Sequence, residues 1–309
     1  MEAVVADIPP HLTVDAWLDR LRQPQAVRDW LWHPLTLAAL NQPADVAAAA
    51  PFVRVVAQLF GPAHEDSAVG LARVALDEMY AGPARRFVEA RGGEVRAKWT
   101  ARIVIGHDGA IAGVTTADGV VSCRHVISAV PWHALAGLWE SEPPAALGAV
   151  VRSAASMASS PIVTVNLWFD GPVMEQQFVG LVDAPIHWIF NKAAIVGEHT
   201  THLAVVTSGA DALAAAGNDE VTRLTLGHVE RVLPGARGRK LLRSVVVRER
   251  RATFSLAPGG PARPAAETAL PGFVLAGDWT DTGLPATIEG AVVSGHRAAD
   301  LVLARRISP

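Results

Sequence analysis

From Thr13 to Phe60 apolar residues recur at helical spacing. The run TVDAWLDRL opens after a Thr/Asp cap signal, and WLWHPLTLAAL from Trp30 to Leu40 is apolar on most faces, so this part reads as largely helical. A further helix is predicted over Met79–Gly93, its terminal glycines serving as a C-cap, with a strand over Glu94–Ile105 behind it. Two Asp-Gly pairs at Asp108 and Asp118 separate short alternating runs between His107 and Ser122, the pattern of a small antiparallel meander. Cys123–Pro131 reads as a buried strand. Alternation returns at Ile162–Phe169, Phe178–Val182, Ile186–Phe190 and Leu203–Gly209, then a helix over Asp219–Leu233 and a strand over Lys240–Arg250: a sheet with one helical cover. Ala257–Gly272, rich in Pro and Gly, reads as a linker.

The last pattern is strand, turn, helix. Phe273–Ala276 is a short apolar strand that Gly277 and Asp278 end, and a helix is expected from near Thr287. The amides at that helix start lack intrahelical partners and favour an anion or a polarised carbonyl by roughly 0.3 to 2 kcal/mol. Gly290 and Ala291 keep side chains away from this end. Ala291, Gly295 and Ala298 follow at spacings of four and three, so one bare face is expected to lie against backbone or a flat ligand.

Composition narrows the partners. Half of the 309 residues are apolar, enough for a substantial core, and the net charge of -3 is interspersed, which argues against nucleic acid. The acids and prolines of the opening residues do not make a signal peptide, so a cytoplasmic location is expected. Apolar runs are broken by Arg54, Arg152 and Pro161 before spanning length, leaving peripheral contact with the inner membrane open. Cys123 is the single cysteine, which excludes an internal disulfide, and it reads as structural. No metal site is expected: His199 and His202 fall in a polar turn without carboxylate or thiolate ligands, and both read as surface histidines. Ser128, Ser255 and Ser294 lack a nucleophile elbow.

The segment GDWTDTGLPATIEGA from Gly277 to Ala291 resembles the FAD-binding signature of flavoproteins related to amine oxidases and phytoene desaturases. Taken with RATFSLAPG from Arg251, Arg263 and Pro264, the Ser160–Val173 run, HWIF from His187 and LWHPLTLAALN from Leu31, it is similar to bacterial hydroxysqualene dehydroxylases from about Thr13 to Leu303. The resemblance implies FAD as cofactor, with Gly277, Asp278, Gly290 and Ala291 in the binding signature. Asp278 would hold the ribityl and pyrophosphate region, and the amides near Thr287 and Ile288 would face the flavin's pyrimidine edge. Val95 in the run GGEVR, Ala101 and Pro131 resemble contacts to the adenosine side, although the family usually has valine where Ala101 stands.

The fold class that follows is mixed α/β: an incomplete Rossmann-like FAD-binding domain interleaved with a substrate domain of antiparallel sheet and helices. Residues 1–76 and 136–256 are assigned to the substrate domain, 77–135 and 257–309 to the FAD domain. The implied reaction is reductive dehydroxylation of hydroxysqualene, an apolar isoprenoid. An amine or carotenoid oxidoreductase on the same scaffold is the rival within enzymes, and a remnant that binds no flavin is the rival outside them. Asp281 and Glu289 are candidate proton donors to a departing hydroxyl, or else turn and helix-start residues. Trp32, Trp168, Trp188 and Phe190 are candidates to line an apolar pocket, with core packing open for each; the same choice holds for Trp17 and Trp30.

One departure stands out. Such flavoproteins begin with a G-x-G-x-x-G turn between strand and helix, and that motif is absent from this sequence. The expectation is an N-terminally truncated chain with weak FAD binding and poor solubility alone, or one completed by a separate nucleotide-binding unit.

Overall fold

The computed structural model describes residues 8–197 and 201–307. In chain order the longer elements are helices α1 (Val14–Arg20), α2 (His33–Leu40), α3 (Ala49–Leu59) and α4 (Gly82–Glu89), then strands β1 (Arg102–Ile105), β2 (Ile111–Thr116), β3 (Gly119–Ser122) and β4 (Val126–Ser128). Helix α5 (Gly148–Ser156) leads into β5 (Ser159–Phe169), β6 (Phe178–Gly180), β7 (Trp188–Asn191) and β8 (Thr201–Ser208). Helix α6 (Asn218–Val232), β9 (Leu241–Phe254), β10 (Phe273–Leu275) and α7 (Ile288–Ile307) complete the chain. The mixed class is the one expected from the sequence. No described helix is long and apolar enough to cross a membrane.

The chain divides into two compact units, Met1–Val95 with Ser159–Thr253 and Arg96–Ala158 with Phe254–Pro309. The compact units part after Val95, Ala158 and Thr253, beside the functional domain bounds expected after Leu76, Leu135 and Leu256. Packing explains the middle shift: Trp132, Leu135, Trp139, Leu147 and Ala154 share one core with Phe254 and Phe273, which binds residues 136–158 to the second unit.

In the first unit, Thr13 caps α1 by accepting from the Ala16 amide at 3.3 Å. Trp17 and Trp32 both set their ring edges against Phe52 at 6.2 Å, whereas Trp30 is 74% exposed and lies outside the core. It lies in a π turn, Arg28–Trp32, whose extra residue changes the phase of the helical face. The sheet has the order β6-β7-β8-β5-β9. Val163, Val165, Leu167 and Phe169 alternate along β5 and bury one face with Leu203, Val205 and Ile189 against Val221 and Val229 of α6.

In the second unit, β1, β2 and β3 form the expected antiparallel meander, and Gly109 and Gly119 take positive φ in its two turns. Strand β10 pairs in parallel with β4, Phe273 opposite Val126 and Leu275 opposite Ser128. Val274 and Ala276 meet Ala298 of α7 in a small apolar cluster.

Three expectations need correction here. The strand foreseen over Glu94–Ile105 is confined to β1, because Lys98 takes a left-handed φ of 61° that breaks the extended run, and Arg96 lies over the Trp99 ring instead. Ala257–Gly272 is no free linker: Leu270 is fully buried, and the Leu275 amide donates to the Ala266 carbonyl at 2.8 Å. The packed small-residue face of α7 is Gly290, Ser294 and Ala298 rather than the expected Ala291, Gly295 and Ala298: Ala291 is exposed and a Cβ at Gly295 would meet nothing within 4 Å.

Candidate functional site

Where β10 ends, the backbone is fixed by small residues. Gly277 has φ of 120°, and its amide donates to Ser294 Oγ of α7 at 2.7 Å. A Cβ there would stand 2.9 Å from Cδ1 and Nε1 of Trp279, so only glycine fits. Trp279 is fully buried and donates Nε1 to the Val130 carbonyl at 2.9 Å, tying the loop to the end of the β4 segment. Both the amide and the hydroxyl of Thr280 return to the Gly277 carbonyl, at 3.1 and 2.9 Å. Thr287 starts α7: its Oγ1 accepts from the Gly290 amide and its carbonyl from the Ala291 amide, both at 3.0 Å. The amides of Ile288 and Glu289 then have no intrahelical acceptor, as at any helix start.

A single guanidinium organises the loop between these ends. Arg263 donates from Nη1 to the Leu284 carbonyl at 2.6 Å, and from Nη2 to the Asp278 carbonyl at 2.7 Å, the Thr280 carbonyl, and Thr282 Oγ1 at 3.2 Å. Half-burial pushes the Asp278 carboxyl pKa up; the Trp279 amide, the Arg263 charge and its own amide pull it back only in part.

The structure thus brings Gly277, Asp278, Thr287, Ile288, Gly290 and Ala291 onto one strand-loop-helix. Ala101 and Pro131 belong to the same unit and are exposed, and Val95 ends the first segment of the other unit. Asp281 is exposed on the loop, its amide donating to the Pro264 carbonyl at 2.8 Å and its carbonyl accepting from Arg297 at 2.7 Å. Glu289 is exposed in the first turn of α7.

The pocket aromatics sort by strand register. Trp168 pairs with His202, Phe190 with Ala204, and Trp188 with Val206, while Ala204 and Val206 face Asn166 and Thr164 of β5. Cross-strand partners share a face, so Trp168, Trp188 and Phe190 all lie on the side of the sheet away from the α6 core. Phe178, opposite Phe190, joins them. Trp32 is apart, held to Phe52 and donating to Gln23 Oε1 at 3.0 Å.

His202 corrects a sequence expectation. Instead of a surface residue in a polar turn, it is buried on β8, stacked on Trp168 at 4.3 Å with rings 16° apart and bonded to Asn166 Oδ1 at 2.8 Å. His199 lies outside the described residues. Cys123 is half-buried, its thiol pKa raised by burial, in keeping with a structural role. The residues that sequence reading left without a role are Trp279 and Arg263; the signal for the second was a lone cation in a Pro- and Ala-rich segment whose other charge is Glu267.

The family described as flavin containing amine oxidoreductase matches residues 54–303. The chain belongs to this family. Among curated relatives of this flavin family member, the hydroxysqualene dehydroxylase of Sinorhizobium fredii is 33% identical over 278 residues, covering 88% of this chain and 62% of the relative. The zeta-carotene desaturase of Arabidopsis thaliana is 24% identical over 88% of this chain and 54% of its own length. The chain therefore spans about three fifths of the curated relative it matches at 33%. In fold it is similar to putrescine oxidase, with a TM-score of 0.69 at 18% identity over 95% of this chain and 68% of that one.

FAD is the cofactor that goes with family membership, and the residues present fit part of it. A half-buried carboxyl at Asp278 suits ribityl hydroxyls or a phosphate edge, and the open amides at Ile288 and Glu289 suit a polarised carbonyl. On the adenosine side the fit is weaker, because Val95 and Ala101 lie in a stretch that is not a strand.

Proposed function

We propose that this flavin family member is an FAD-dependent oxidoreductase that replaces a hydroxyl by hydrogen on a triterpenoid-sized isoprenoid, as in the conversion of hydroxysqualene to squalene. The observation that carries the reading is the Gly277–Ala291 segment, which presents the half-buried Asp278 carboxyl at one end and helix-start amides at the other. The hydroxysqualene dehydroxylase relative, matched over 88% of this chain, supports the choice of substrate class. The aromatic sheet face supports it too, since a row of rings buries a hydrocarbon.

A bound reduced flavin supplies hydride to the carbon that loses oxygen. The chain's own residues then have three tasks. Asp278 and the start of α7 hold and orient the cofactor. Trp168, Trp188 and Phe190 offer an apolar face to the hydrocarbon chain. The departing oxygen needs one proton to leave as water, and Asp281 or Glu289 provides it.

The test begins with the visible spectrum of the purified 309-residue chain after incubation with FAD and removal of the unbound fraction. About one flavin per chain, followed by squalene from hydroxysqualene under a chemical reductant, supports the proposal. Conversion of a carotene instead moves the reading to the desaturase side. A colourless protein overturns flavin binding by this chain alone, leaving a remnant or a chain that requires a separate nucleotide-binding unit.

A further inference from the structure

The geometry points to Arg263 as the positioning residue that sets the Asp278 carboxylate and the start of α7 for the cofactor, without touching it. The inference rests on the flavin-binding reading above.

Four carbonyls from four residues of one loop, those of Asp278, Trp279, Thr280 and Leu284, converge on this guanidinium together with Thr282 Oγ1. Only a planar fork with five donors serves so many acceptors at once; an ammonium offers three donors on a flexible stem. The fork is itself oriented. The Phe254 ring lies under Cζ at 4.9 Å, and Phe254 is set edge-on to Trp132 at 6.2 Å. The segment that carries Arg263 is pinned by Ser153, whose Oγ donates to the Ala262 carbonyl at 2.7 Å.

Peptide planarity converts these bonds into side-chain position. In the Asp278–Trp279 peptide the oxygen is on Arg263, which sends the Trp279 N–H the opposite way, onto the Asp278 carboxylate. In the Thr280–Asp281 peptide the oxygen is on Arg263 and the N–H on the Pro264 carbonyl, so this unit is held at both edges. The Leu284 carbonyl is the last fixed point before Pro285 and the Thr287 cap. Without the fork, each of these peptides loses the anchor on its oxygen, and both the carboxylate and the open amides of α7 are aimed less tightly.

The experiment compares R263K with wild type by two readouts: retention of FAD with its visible spectrum, and backbone hydrogen exchange of the cofactor-free chain. In R263K, FAD affinity should fall at least about tenfold with an altered flavin band, the loss of one or more charge-assisted bonds. Amides of residues 278–287 should exchange about tenfold faster, while those of β5 and β8 are unchanged. V120T, on the exposed strand β3 away from the loop, should keep wild-type FAD retention. R263K that matches wild type in both readouts overturns the inference, and so does V120T with an equal loss. Should R263K fail to fold by circular dichroism, T282V takes its place, with a few-fold loss expected and wild-type behaviour counting against the role. If wild type retains no FAD, the proposed function fails, and the exchange comparison still decides whether Arg263 holds the loop.

Discussion

Asn41 donates Nδ2 to Thr253 Oγ1 at 3.0 Å across 212 positions of sequence, at the end of β9 where the chain leaves the first unit. The same amide nitrogen reaches the Ser160 carbonyl at 3.0 Å, Oδ1 accepts from the Gly209 amide at 2.8 Å, and the Asn41 carbonyl accepts from Ser160 Oγ at 2.6 Å. One buried side chain thus joins the C-terminus of α2 to β5, β8 and β9. Its own φ of 53° is left-handed, a conformation asparagine tolerates better than most residues.

Asn41→Gly keeps that backbone and deletes the side-chain bonds. It should cost about 2–4 kcal/mol, since the Gly209 amide and its neighbours stay buried without partners. Asn41→Ala should cost about 1 kcal/mol more for the strained φ. Urea unfolding midpoints read both, and a glycine variant within about 0.5 kcal/mol of wild type would show the network to be dispensable.

Two glycines of the candidate site should respond in opposite directions. Gly277→Ala places a Cβ 2.9 Å from the Trp279 ring at a φ of 120°, so it should destabilise by about 2 kcal/mol or more and shift the Trp279 fluorescence. Gly295→Ala stands in open space within α7 and should stabilise by about 0.5–1 kcal/mol. Thermal melts of the cofactor-free chain distinguish the two, and a destabilising Gly295→Ala would mean that the open space is filled in solution.

Asp278 gives a pH dependence with a definite sign. Burial raises its folded pKa above the unfolded value, so the fold favours the neutral carboxyl. That contribution is fully present below the unfolded pKa and is lost as pH rises through the folded one. Asp278→Asn is neutral throughout. Its stability relative to cofactor-free wild type should therefore improve as pH rises from about 3 to about 7. Unfolding midpoints across that range check it; a difference that is flat, or that shrinks with pH, contradicts the assignment.

The sequence made most elements of the fold legible because their periods are clean. The alternation of Val163, Val165, Leu167 and Phe169 marks β5, and the Asp-Gly pairs mark the meander. Family membership was legible in the Gly277–Ala291 run, and the flavin family match covers it. What the pattern could not carry was long-range pairing. His202 looked superficial beside its polar neighbours, but its partner Trp168 stands 34 positions away on β5. Arg263 looked like a charge on a linker because its acceptors are main-chain carbonyls, whose direction no side-chain pattern encodes. Glu94–Ile105 looked like a strand because a left-handed Lys98 has no compositional signature.

The Trp168 stack separates the two halves of the proposed function. Trp168 lies between the His202 imidazole at 4.3 Å and the Arg243 guanidinium, whose Cζ is 4.9 Å from the ring centroid. A double-mutant cycle of Trp168→Ala and His202→Ala should give a coupling of about 0.5–1.5 kcal/mol, the scale of a ring-ring contact beyond burial. If this sheet face binds the isoprenoid, Trp168→Ala should also raise the KM for hydroxysqualene about tenfold while the flavin content stays at the wild-type level, because the ring belongs to the first unit and the cofactor loop to the second. Flavin loss equal to the loss of substrate affinity would assign the stack to stability alone. An unchanged KM with measurable coupling would remove this face from the substrate site.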